Sequence, residues 1–391
     1  MSGPLDEPQA ALATSVADTF EAHWRDPGYT CPSAATYPWL WLWDSCFHAL
    51  VWERLGRADR AVAELRTALA GQDPETGFVP HMGYFGAPDV AAEFWGRSGF
   101  SSITQPPMFG HAVAELVRRG TAVPDDVVEG AAAALRFLVE VRRRSPAGLV
   151  ELVHPWESGA DDSPRWDSVL VARDGAWTLE GWFRLKGELL GTVERTVSGA
   201  PVANPTFAVG SAAFTALVAF NLAELATVLD EPWPTAAADE LATALDERWD
   251  DDVRTWVDDG PTAAGSGRIR TAEALVGALV TRRPEALDAV LADVVDPSAF
   301  GARFGPTGVH RAEAVYSPTT YWRGPTWPQL SYLLWMAARR ADRPDVAASL
   351  ATSLRGGALR SGLAEFWHPD TAAPGGAVPQ SWTGLAVLVD A

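Results

Sequence analysis

Apolar residues recur at three-to-four spacing along most of the 391-residue chain, the pattern of helices that bury one face. It marks twelve segments: 8–24, 42–56, 59–71, 108–119, 125–143, 206–229, 234–249, 270–282, 284–294, 326–341, 343–355 and 382–390. Their ends carry helix punctuation. Pro124-Asp125-Asp126 opens one, Asp230-Glu231-Pro232 closes another and Arg343-Pro344-Asp345 punctuates a third. Strand-like alternation is confined to GLVELVH at 148–154 and VRTWV at 253–257. Six antiparallel helix pairs are the simplest arrangement of twelve helices, so the expectation is an all-α fold.

Between the helices run connections poor in helix formers and rich in Gly, Pro and aromatics, at roughly 25–41, 72–105, 145–166, 300–325 and 356–381. Ordered loops beyond ~12–15 residues are usually functional, and these are too aromatic to be disordered, which makes them candidate walls of an active site. The chain exceeds the ~250–300 residues at which single cores usually split, yet an all-helical toroid can exceed that limit as one unit. With no flexible Gly/Ser linker in sight, residues 1–391 are expected to form one domain.

Composition narrows the chemistry. A net charge of −19 argues against nucleic-acid backbone or anionic lipid as partners, because both require positive patches. No apolar run reaches the ~18 residues of a membrane span, and the first residues lack the basic and apolar regions of a secretory signal, so a cytoplasmic protein is expected. Cys31 and Cys46 are too few for a disulfide framework or zinc cluster, and no metal or cofactor is expected. There is one lysine, Lys186, and there are 18 tryptophans, several of them beside acids and glycines in the long connections. Nothing in the composition assigns an oligomeric state.

Acids gather in the stretch HPWESGADDSPRWD, residues 154–167, which holds Glu157, Asp161, Asp162 and Asp167, with Glu151 just upstream. Carboxylates this close cannot all ionise freely, and a tryptophan covering one of them would raise its pKa into the range of a proton donor. The same acids could instead cap helices and pair with Arg165. Far along the chain, Glu365 stands before Phe366 and Trp367, ahead of a Pro/Gly-rich loop with Gln380 and Trp382. YPWLWLWDS brings Tyr37, Trp39, Trp41, Trp43 and Asp44 to a helix entrance, where the alternating tryptophans could also be a buried strand. SSITQPP offers Gln105, and YWRGPTWPQ offers Tyr321, Trp322, Arg323 and Trp327. Two distant carboxylates with aromatic platforms and amide or acid side chains suit a glycosidase pocket, in which an acid protonates the leaving oxygen and a base activates water. The histidines are scattered, and there is no HExxH, P-loop, GxGxxG or GxSxG pattern.

WLWDSCFHAL, GFVPHM, SSITQPP, ESGADDSPRWD, YWRGPTWP and AEFWHPDT…PQSW resemble, in order, the signature segments of the branch of glycoside hydrolase family 63 that contains mannosylglycerate and glucosylglycerate hydrolases. The match runs from about residue 35 to the C-terminus. More distantly the segments resemble trehalases and glucoamylase-like enzymes. The resemblance implies an (α/α)6 barrel with its active site at one mouth and hydrolysis with inversion of a small α-glucoside or α-mannoside. It makes Asp161 the general acid and Glu365 the general base, with carboxyls ~6.5–9.5 Å apart. Trp41, Asp44, Gln105, Trp156, Glu157 and Trp322 would line the non-reducing sugar site, and Tyr37, Tyr84, Tyr321 and Gln380 match positions nearer the leaving group. Ala160 stands where the family usually has a large residue, and Asp162 where it has an amide. A glycerate leaving group needs a basic partner, to be sought among Arg184, Lys186 and Arg195.

Three other classes compete on sequence grounds. A sugar isomerase or epimerase would use paired histidines in the same barrel, a non-catalytic sugar-binding protein would use the acids as hydroxyl acceptors, and a terpene-cyclase-like protein would bind magnesium at DDSPRWD.

Overall fold

The computed structural model describes residues 7–170, 178–263 and 265–390. Six helices form an inner ring: Leu42–Arg54, Phe109–Arg118, Ala212–Leu225, the 3-10 helix Ala274–Leu279, Pro328–Arg340 and the 3-10 helix Ser381–Val387. Each packs on the next in that order, and the last packs on the first, so the ring is closed. Outside it lie Ala58–Ala68, Asp125–Glu140, Trp233–Asp246, Pro284–Asp293, Pro344–Ser361 and, against Ser381–Val387, the N-terminal helix Glu7–His23. This is the (α/α)6 barrel, and each of the twelve segments marked by periodicity corresponds to one of its helices.

The two rings obey different burial rules. Inner helices are enclosed on nearly all sides; in Ala212–Leu225 every position but Ala223 is buried. Outer helices bury a stripe, as in Asp125–Glu140, where Val127, Ala131, Ala134, Leu135 and Leu138 repeat at three-to-four spacing. Two inner segments, expected at 270–282 and 382–390, are short 3-10 turns, and the segment expected at 343–355 continues to Ser361. The connections also carry helices at Pro88–Trp95 and Leu179–Leu190.

Among the described residues, strands occur as six two-stranded antiparallel ribbons at the rim. The stretch 148–154 contributes Glu151–Leu152, paired with Val209–Gly210, and 253–257 contributes Thr255–Trp256, paired with Trp249–Asp250. The tryptophan alternation at 39–43 is not one buried strand. Leu40–Trp41 pairs with Met82–Gly83, and the helix begins at Leu42, so Trp43 is helical.

Candidate active site

A cavity of about 690 Å³ opens at the end of the barrel where the inner helices begin. Its lining residues come from connections leading into inner helices or from their first turns. Trp43 and Asp44 belong to the first turn of Leu42–Arg54, Gln105 precedes Phe109–Arg118, Tyr321 and Trp322 precede Pro328–Arg340, and Gln380 with Trp382 sits at the start of Ser381–Val387.

Asp161 is placed by a tightly specified turn. His154 accepts from Trp156 N through its ring, opening the 3-10 helix Pro155–Ser158. Gly159 then turns with φ of +70°, in contact with the Trp43 ring, where a Cβ would lie 2.3 Å away. The Trp166 indole donates to Ala160 O at 2.8 Å, fixing the backbone just ahead of Asp161. Burial pushes the Asp161 carboxyl up to about 7; the charges of Asp162, Glu365 and Asp44 add to this, and Lys186 opposes it.

Glu365 reaches the same cavity from the far end of the chain. Its N–H donates to Ala377 O at 2.8 Å, and Ala377 N donates back to Oε2 at 2.9 Å. The Tyr37 hydroxyl donates to the carboxyl at 3.3 Å and the Tyr321 hydroxyl at 3.4 Å. Gly376, at φ of +68°, passes beneath it, and a Cβ there would lie 2.2 Å from Oε2. Burial also raises Glu365 to about 7, against the hydrogen bonds from Ala377, Tyr37 and Tyr321, which favour its ionised form.

Asp44, at the base of the cavity, is raised to about 6, burial again being the largest cause. Gln380 Nε2 donates to it at 3.2 Å, while Gln380 Oε1 accepts from Trp382 N at 2.7 Å. Gln105 Oε1 accepts from Trp43 N at 3.2 Å, satisfying one of the free N–H groups of that helix start. Trp322 holds φ of +55° and stacks on Trp327 with ring centroids 3.6 Å apart, which sets its indole as one wall.

Ten of the twelve residues to which the family resemblance gives a role therefore line one cavity: Tyr37, Trp41, Asp44, Gln105, Trp156, Asp161, Tyr321, Trp322, Glu365 and Gln380. Two do not. Glu157 is fully buried behind the wall, where Arg142 holds both its oxygens at 2.5 and 2.9 Å, and it also accepts from Thr104 N and Val153 N; no oxygen is left for a sugar. Tyr84 lies in the layer behind, its hydroxyl accepting from the Trp95 indole at 2.8 Å and its ring packed on Trp39.

The remaining acids of the 154–167 stretch have partners that sequence spacing did not suggest. Arg165 pairs with Asp258 at 2.7 Å and not with Asp167, which is held by Arg323 in a two-pronged pair at 2.6 and 2.8 Å. Asp162 accepts from the Trp182 indole and from Lys186 Nζ, the latter at 2.8 Å. Lys186 and Arg323, both candidates from the sequence, line the cavity, as do Phe183 and Thr320, which the sequence did not single out. Arg323 follows Tyr321 and Trp322 in YWRGPTWPQ, and Lys186 is the one of the three basic candidates Arg184, Lys186 and Arg195 that reaches the lining.

No histidine is among the described residues that line the cavity. His81 and His154 lie in the buried layer behind it and are pushed down to about 3 by burial, unlike the paired histidines an isomerase would present. A smaller cavity of about 340 Å³ lies where the inner helices end, lined by Arg118, Arg119, Arg339 and Arg340. There the cations sit at helix C-termini and pair with Glu115, Glu224 and Asp390.

Comparison with known proteins agrees with this architecture. The chain is 28% identical to a mannosylglycerate hydrolase of Rubrobacter radiotolerans over 445 aligned positions, covering 99% of this chain and 97% of that one. It is 28% identical to a glucosylglycerate hydrolase of Mycolicibacterium hassiacum, covering 92% and 93%. Its fold matches the crystal structure of the GH63 mannosylglycerate hydrolase of Thermus thermophilus in complex with Tris and D-glycerate, with a TM-score of 0.84 over 96% of this chain and 99% of that chain at 24% identity. The model of the mannosylglycerate hydrolase MGH1-like glycoside hydrolase domain matches residues 37–383, so the chain belongs to that family and is a glycoside hydrolase.

Proposed function

We propose that the protein is an inverting, exo-acting α-glycoside hydrolase that cleaves a small α-glucoside or α-mannoside, with a glycerate conjugate of either sugar as the leading substrate. Asp161 is the general acid and Glu365 the general base, and residues 1–391 act as one catalytic domain. The observation that carries this reading is the pairing itself: two carboxyls far apart in the chain face one aromatic cavity, each raised to about 7. A donor must hold its proton near neutrality, and burial provides that for Asp161. A base must hold a water, and Tyr37, Tyr321 and Ala377 orient the Glu365 carboxyl for it. Trp41, Trp156 and Trp322 supply apolar faces for a sugar ring, with Asp44, Gln105 and Gln380 available to its hydroxyls. The relatives' named substrates support glycerate as the leaving group.

The test is a panel of glucosylglycerate, mannosylglycerate and α-linked disaccharides followed by NMR. Release of the β-anomer is expected first, and direct release of the α-anomer would overturn inversion. Asp161→Asn and Glu365→Gln should each lower kcat by at least about 100-fold, the usual worth of an acid or base, while the fold is retained. Near wild-type turnover by either variant would remove that residue from its role.

A further inference from the structure

Lys186 is the single lysine in the chain, set against 30 other cationic residues that are all arginine. It lies in the Leu179–Leu190 helix, is 2% exposed, and lines the active-site cavity. Its ammonium sits among the rings of Trp156, Trp182 and Phe183, 4.9 to 5.3 Å from their centroids, an arrangement that favours a cation held partly out of water.

Its position in the cavity follows from its partner. Lys186 Nζ lies 2.8 Å from Asp162, the residue after the proposed proton donor. A proton donor must reach the leaving oxygen, and the Lys186 charge acts directly on Asp161, so the ammonium lies near the place where the leaving group would be protonated. The other basic residue on the lining, Arg323, already holds both oxygens of Asp167. Arg195, which sequence position also suggested, is spent on Ser102 and Gly199 and does not line the cavity. Arg184 is turned outward, 57% exposed and near Glu188. An ammonium has three donors, and Asp162 is its hydrogen-bond acceptor among the described residues.

We infer that Lys186 is the anchor for the leaving group: its remaining donors take a carboxylate carried by the aglycone, while Asp162 and Trp182 keep the ammonium in place. This rests on the reading that cleavage occurs in this cavity. It makes Lys186 the residue that separates an acidic leaving group from a neutral one of the same size.

The test compares two substrates that differ only there, the glycosylglycerate and the matching glycosylglycerol, in which a hydroxymethyl replaces the carboxylate. In Lys186→Met the preference for the glycerate conjugate, measured as the ratio of kcat/KM values, should fall about 10- to 100-fold, the worth of one charge-assisted hydrogen bond. The loss should fall mainly on KM, and Lys186→Arg should recover part of it. An equal loss on both substrates, or no loss on either, overturns the anchor. A second measurement uses the wild-type enzyme. With lysine labelled with 13C at Cε alone, the chain gives one side-chain signal, which D-glycerate should shift and glycerol should not; a signal indifferent to D-glycerate also overturns the proposal. If the wild type cleaves neither conjugate, the proposed substrate fails, and the lysine signal still decides the anchor by itself.

Discussion

Asp161 and Glu365 share a cavity and an environment, and the consequence is a shared titration. Each carboxyl is pushed up to about 7, with burial the leading cause in both. Under the proposed roles, hydrolysis needs Glu365 ionised, so the rate should rise as pH climbs through its pKa. Under the same roles it needs Asp161 protonated, so the rate should fall as pH climbs through that of the acid. With the two so close, the active form exists over a narrow range, and the apparent values belong to the pair. The expected profile of kcat/KM is a bell centred near neutrality that falls about tenfold per pH unit on either side. Tyr37→Phe removes a hydrogen bond that favours ionised Glu365, so the acid limb should move to higher pH. A profile flat from about pH 5 to 9, or an acid limb unmoved in Tyr37→Phe, would contradict this account of the pair.

The connection from 154 to 167 shows how one element divides its acids between chemistry and structure. Asp161 faces the cavity, while Glu157, four residues earlier, is locked to Arg142 with both side chains fully buried. Position in a motif marked both as sugar-facing; only the fold separates them, because Arg142 lies at the end of a preceding helix and no local periodicity reports a pairing across such a turn. The same holds for Asp167 with Arg323, 156 residues apart, and for Arg165 with Asp258. What was legible in the sequence was the crowding of acids and aromatics, which did mark the cavity wall. Removing one partner of a buried ion pair strands the other charge, at a cost of about 3–5 kcal/mol. Glu157→Gln should therefore lower unfolding free energy by about that amount in a urea titration. A sugar contact at Glu157 would instead leave stability intact and raise KM, and that outcome would return the residue to the substrate site.

At the scale of the whole molecule, the barrel works because its two chain ends meet. Helical periodicity revealed all twelve barrel helices, since each must bury a stripe or be buried entirely. It could not show that two inner members are 3-10 turns, because enclosure on all sides leaves no polar face from which to read a period. Nor could it show which helix closes the ring. The inner ring closes where Ser381–Val387 packs on Leu42–Arg54, and Glu7–His23 covers that seam from outside by packing on Ser381–Val387. Gly384 meets Phe20 so closely that a Cβ there would lie 2.7 Å from its ring, and His23 Nδ1 lies 2.7 Å from Ser381 Oγ. Ser381–Val387 also carries Trp382 into the cavity, two residues after Gln380, which bonds to Asp44. The seam between the ends therefore supports the site as well as the fold. Phe20 is its central apolar contact, fully buried and edge-on to His48 and Trp52. Phe20→Ala removes that ring and leaves a cavity, so unfolding free energy should drop by about 3–5 kcal/mol. Because the seam holds Gln380 and Trp382, loosening it should also lower kcat/KM well below the denaturation temperature. A variant that lost stability yet kept wild-type kcat/KM would show that the seam holds the ring shut without shaping the site.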